Sequence, residues 1–91
     1  MPTVLVELVE AALPEVGRVA AELRVPLAGC NLHLESLVLV LECMDYIVTR
    51  TLFDAYLGYR PSFHFKGLYI FKIAHYVRNI IGGLLNVQAS N

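Results

Sequence analysis

Three histidines (His33, His64, His75) and two cysteines (Cys30, Cys43) are the residues best suited to hold a metal ion in this chain, and their spacing argues against one. His64 and His75 are eleven positions apart. On a helix that spacing shares a face but leaves about 16 Å of rise between the two rings, too far for one ion. Cys30 and His33 can approach each other, yet two ligands do not complete a tetrahedral site. No metal or other cofactor is expected. Nucleophilic catalysis is equally unsupported. Ser36, Ser62, Ser90, Cys30 and Cys43 lack the flanking glycines of a nucleophile elbow. Cys43 sits among apolar neighbours that disfavour a reactive thiolate. Gly82-Gly83 lacks the spaced glycines and Lys-Ser/Thr of a phosphate loop. Glu42 and Asp45 lie one helical turn apart, and the ordinary fate of such a pair is a solvated or ion-paired stripe. No catalytic residue is assigned, and the chain reads as a non-enzyme.

Arg78-Asn79 resembles the Arg-Asn opening of the motif in HEPN ribonucleases, all-helical enzymes that use an Arg and a downstream His on one helix. The resemblance ends there. Ile80-Ile81-Gly82-Gly83-Leu84 follow without the His, and Arg60 and His64 stand closer together than that family's spacing. It implies no ribonuclease activity.

The feature with most bearing on partners is a break in composition near residue 45. All nine aromatic residues, from Tyr46 to Tyr76, lie after it. Residues 1–45 hold seven acids against Arg18 and Arg24, whereas residues 46–91 hold Asp54 alone against five Lys and Arg. The halves carry −5 and +4, so the net charge of −1 conceals a strong dipole. Through the second half, bases and aromatics interleave: Arg50, Tyr56, Tyr59, Arg60, Phe63, His64, Lys66, Tyr69, Lys72, His75 and Arg78. Charge plus aromatic faces is how single-stranded nucleic acid is held. Five Lys and Arg are few for such a footprint, and the competing explanation is that the aromatics fill a core while the bases meet the acidic half.

Length and hydropathy bound the rest. Ninety-one residues make one domain, 1–91, with no linker-like stretch. Hydrophobic residues make up 57% and charged residues 16% of the chain, against about 25% charged in ordinary soluble domains. A chain this short buries only about two-thirds of the surface it exposes unfolded, so apolar surface must remain outside a monomer. A second copy, another protein or a membrane must cover it. Spanning needs about 20 apolar residues in a row. Glu42 and Asp45 interrupt one run, and Lys72, His75 and Arg78 the other, so a membrane is the least favoured of the three. The N-terminus lacks a basic secretory start, and the reading is cytoplasmic. Cys30 and Cys43 are expected to be reduced, because a helix beginning near Cys30 would put them nearly 20 Å apart, at about 1.5 Å of rise per residue.

Pro14, Pro26-Leu27-Ala28-Gly29, Gly58-Tyr59-Arg60-Pro61 and Gly82-Gly83 divide the pattern into elements. Thr3 caps a first helix over 4–13 and Pro14 opens a second over 14–24, one helix kinked at Pro14 being the alternative. Asn31 caps a long helix to Leu57, with Gly58 at its C-terminus and Pro61 as a stop. Ser62 caps another, ending at Ile81 before Gly82-Gly83. Short strand patterns occur in Phe63-His64-Phe65-Lys66 and Val38-Leu39-Val40-Leu41, but the flanking positions restore the helical period.

The fold expected is an all-α small helical bundle built on a long antiparallel helical hairpin, with one or two short N-terminal helices across it. One long helix carries an acidic stripe of Glu35, Glu42 and Asp45. A basic stripe of Arg60, His64, Lys66, Lys72, His75 and Arg78 faces it or binds an anion. The function expected is a helical oligomerisation or protein-interaction module, a dimer by preference. The alternatives are a nucleic-acid-binding module using the basic, aromatic half and a helical membrane-associated protein.

Overall fold

The protein is described from a computed structural model covering residues 3–27, 29–57 and 64–90. Among these residues there are three helices, α1 (Thr3–Glu22), α2 (Leu37–Leu57) and α3 (His64–Ser90), and no strand. Residues 38–41 and residues 64–66 of the second alternating segment are helical, with Val40 buried while Val38 and Leu39 face out, and Phe63 lies outside the described residues.

α1 is one helix rather than two, running unbroken through Pro14. Proline inside a helix removes a hydrogen bond and crowds the preceding turn, which costs about 3 kcal/mol. The burial of Val9, Leu13, Val16 and Val19 on both sides of Pro14 supplies the opposing term. At its end the Val25 N–H donates to Ala20 O (2.9 Å) and the Arg24 N–H to Ala21 O (3.1 Å). This is the paired pattern of a Schellman stop, with Arg24 at φ 57° in the place usually taken by glycine.

α2 begins five residues later than the Asn31 cap predicts. Asn31 Oδ1 accepts from the His33 N–H (2.7 Å) and closes a local turn instead. The cap is Ser36, whose Oγ lies 3.4 Å from the Leu39 nitrogen and whose carbonyl accepts the first helical bond from Val40 (3.1 Å). Both residues are good caps, and tertiary packing chose between them: Leu27, Leu32 and Leu34 turn onto the core as loop residues. Leu32 approaches α1 so closely that a β-carbon at Gly17 would lie 3.2 Å from it. In the same loop Cys30 N–H donates to Leu27 O (2.9 Å), with Gly29 at φ 85° supplying the left-handed position of the turn.

The late start of α2 overturns the expectation of two reduced, distant cysteines. The loop folds back along α2, bringing the Cα atoms of Cys30 and Cys43 to 5.2 Å, and the pair forms a disulfide. The 20 Å separation presupposed one helix through both residues, and Cys30 lies outside it.

α3 passes through Gly82-Gly83 and continues to Ser90. Neither glycine has positive φ, so neither acts as a helix stop. Continuation buries Leu84 completely and packs Leu85 on the core, which offsets the roughly 1 kcal/mol that each helical glycine costs. α3 packs against both α1 and α2. Fully buried Met44 and Ile47 of α2 meet Ile70, Val77 and Ile81 of α3 in one cluster with the α1 valines. Thr51 is the one buried polar side chain among the described residues; its hydroxyl donates to the carbonyl of Ile47 (2.8 Å), so it leaves no unmet donor in the core. The caps expected at Gly58 and Ser62 and the stop at Pro61 lie outside the described residues.

Candidate functional site

The structure brings acidic and basic residues of different helices together at two places, and the outward side of α3 makes a third feature. Between α2 and α3, Arg78 Nε lies 2.7 Å from Asp45 Oδ1, with both side chains about half exposed (44% and 50%). Between α1 and α3, Lys66 Nζ lies 3.1 Å from Glu22 Oε2. Arg18 joins this second group, bonding Glu15 through two nitrogens and Glu22 at 2.6 Å, and the Tyr69 hydroxyl donates to Glu15 Oε1 at 3.2 Å. Glu22 is held below the usual carboxylate range, first by the Lys66 hydrogen bond. Glu15 is held low by Arg18, whose own guanidinium is pushed up by Glu15. Tyr69 is pushed up by partial desolvation and by the Glu15 charge. The C-terminal end of α1 is thereby tied to the first turns of α3.

This α1–α3 network was not legible in the sequence. Glu15, Arg18 and Glu22 follow the i, i+3 and i+4 spacings of one helix face, which signals their mutual pairing, but nothing in the chain says which helix that face meets. Of the expected acidic stripe, Glu35 lies in the loop before α2 and not on the helix, because the helix starts at Leu37. Glu42 is exposed on α2 beside the disulfide. Of the expected basic stripe, Lys66 and Arg78 are ion-paired, while Lys72 and His75 face outward, the His75 ring stacked on Phe71 at 5.9 Å. Arg60 and the His64 side chain lie outside the described residues.

The third place is the outward side of α3. Phe65 (83% exposed), Tyr69, Lys72, Tyr76, Asn79 and Gly83 fall at spacings of four, three, four, three and four, which align them in one narrow seam. Leu68 and Val87 flank it, also exposed. A fourth feature is a cleft of about 490 Å³ between the loop and α2, lined by both bridged cysteines with Asn31, Leu39, Glu42 and Tyr46.

Among the described residues no group of three or more His, Cys, Asp or Glu is placed to hold a metal ion, and no helix is long and apolar enough to cross a membrane. No family model, curated protein or solved structure matches this chain.

Proposed function

We propose that this protein is a helical oligomerisation module that works as a homodimer, with the seam along α3 as its contact face. The observation that carries the reading is the seam itself. A repeat of four and three is the spacing at which one helix meets another along its length, and this one leaves Phe65 mostly exposed and Tyr69 and Tyr76 about half exposed. A second α3 is the occupant that fits, because the same seam offers aromatic surface for aromatic surface and Asn79 as a register-setting polar position. Gly83 adds to this. A β-carbon there would meet nothing within 4 Å, so packing inside the chain does not require glycine, whereas a close helix crossing would.

Within the chain, α2 and α3 form the arms of an antiparallel hairpin. Only residues 58–63 separate them, a reach of at most about 25 Å when fully extended. A parallel return along α2 would need about 31 Å. The whole chain makes one domain.

Light scattering at low micromolar concentration should give at least twice the 10.1 kDa chain mass. Replacing Phe65 and Tyr76 by Glu should return the mass to that of one chain. A wild-type monomer at tens of micromolar would sink the proposal.

A second reading keeps one specific support: Lys72 lies between Tyr69 and Tyr76 on the open face, a cation between two aromatic rings one turn to either side. Lys66 and Arg78 already have acidic partners within the chain, which leaves this reading few bases to neutralise phosphate. Binding of a labelled single strand at micromolar or better affinity in about 150 mM salt, weakened by Lys72→Ala, would favour it over self-association. A different protein laid on the same seam, or a membrane surface, would also cover the apolar face; the mass measurement separates these from the homodimer.

A further inference from the structure

The disulfide is open to chemistry in a way that a buried structural bridge is not. Both of its cysteines line the 490 Å³ cleft, a volume in the range of small-molecule sites. The two cysteines are unequally exposed. Cys43 is 3% exposed on α2, whereas Cys30 is half-buried on the loop that forms the opposite wall. An entering nucleophile therefore meets Cys30 first. Among the residues lining the cleft the one charged side chain is Glu42, adjacent in sequence to Cys43 and exposed, with Asn31 and Tyr46 as neutral polar neighbours.

We propose that the Cys30–Cys43 bridge is a thiol-exchange site for a small, cation-bearing thiol. The thiolate of the incoming molecule attacks Sγ of Cys30, the Cys30–Cys43 bond breaks, and Cys43 leaves as a thiolate that takes up a proton from water. The product is a mixed disulfide on Cys30 and a free thiol at Cys43. A second molecule of the same thiol then attacks the outer sulfur of the mixed disulfide. That step releases the symmetrical small disulfide and leaves Cys30 as a thiol, so two small thiols are oxidised for each protein disulfide reduced. The Glu42 carboxylate selects the partner by charge, attracting an ammonium group and repelling the carboxylates of an anionic thiol. Opening the bridge frees the loop wall of the cleft from α2, and the adduct occupies the space between them.

The test uses the full-length oxidised protein, with cysteamine as the cationic probe and glutathione as the anionic one, compared at equal thiolate concentration. After acid quenching, mass spectrometry of peptides locates the adduct. It should sit on Cys30, and cysteamine should react roughly three- to tenfold faster than glutathione, a ratio that shrinks as salt is raised. Glu42→Gln should bring the two rates together while leaving the helical circular dichroism unchanged. The proposal is overturned if the adduct is on Cys43, if the two thiols react equally with the wild-type chain, or if reduction occurs only in denaturant. Two free thiols in the protein as isolated under air, with alkylation before any reductant, would also overturn it.

Discussion

Arg78 and Asp45 join α3 to α2 across 2.7 Å, and this pair sets the register of two faces that are otherwise apolar. With both side chains about half exposed, the pair contributes about 0–1 kcal/mol, and its effect is on alignment more than on stability. Reversing either charge alone, Asp45→Lys or Arg78→Glu, should lower the melting temperature by a few degrees, and the double reversal should recover part of the loss. Glu42→Lys with Arg78→Glu is the control. Glu42 lies toward the disulfide cleft, so those two effects should add. Additive behaviour at Asp45 and Arg78 as well would show that the pair does not act in solution.

Acid should loosen α1 from α3. Glu15 and Glu22 are held below their ordinary range by Arg18 and Lys66, so the folded state binds protons more weakly there than the unfolded chain does. Stability from these carboxylates is fully present above the unfolded value of about 4.3 and is lost as pH falls through the lower, folded values. The fall in melting temperature between neutral pH and pH 3.5 should be smaller in Arg18→Leu than in the parent. Equal slopes would place the acid sensitivity elsewhere. At the alkaline end the sign is reversed for Tyr69. Its raised value means that the neutral hydroxyl is favoured in the folded state, and stability is lost as pH rises above about 10, an effect absent from Tyr69→Phe.

These pairings mark the limit of what the sequence carries. The helical period was plain, and so was the excess of apolar residues, since both are properties of single segments. The helix ends were not. Asn31 and Ser36 are equally good caps by type, and the choice between them rests on where Leu32 and Leu34 find burial. Gly82-Gly83 reads as a stop until the burial of Leu84 beyond it is known. The wide separation expected of the two cysteines follows entirely from a helix that starts at Asn31, and the observed start at Leu37 removes it. Glu42 and Asp45 are both visible as acids opposite the basic helix, and Glu42 reads as the natural partner of Arg78, but the register of the helices pairs Arg78 with Asp45 instead.

The disulfide makes a separate claim about energetics and about place. Closing a loop of thirteen residues' separation restricts the unfolded chain and stabilises the fold by about 3 kcal/mol. Cys30→Ser with Cys43→Ser should therefore melt lower by roughly 10–20 °C for a domain of this size. A change under a few degrees would mean that the bridge constrains little. Such bridges persist in oxidising compartments and are reduced in the cytosol, so the cysteine pair pulls against the cytoplasmic expectation. Alkylating the protein in acid-quenched cells of its source decides between them: an unmodified pair means an oxidising compartment or a bridge protected from cytosolic thiols, and a doubly alkylated pair means the cytoplasmic reading stands.

Gly82 and Gly83 of α3 separate the monomer's requirements from the dimer's. A β-carbon at either Gly82 or Gly83 meets nothing within 4 Å, and neither residue has positive φ, so alanine fits both without strain. Alanine in place of glycine inside a helix gains about 1 kcal/mol, and each single substitution should raise the melting temperature by roughly 4–8 °C when measured on the dilute, unassociated chain. Association distinguishes them. Gly83 falls in the seam with Phe65 and Tyr76, whereas Gly82 is rotated one position away and half-buried. Gly83→Ala should weaken self-association several-fold in sedimentation equilibrium, because the added methyl holds two helices apart, while Gly82→Ala should leave it nearly unchanged. If Gly83→Ala raises the melting temperature and the dissociation constant does not move, the outward seam of α3 is not the contact face, and the apolar surface of α2 around Leu52 and Phe53 becomes the next to test.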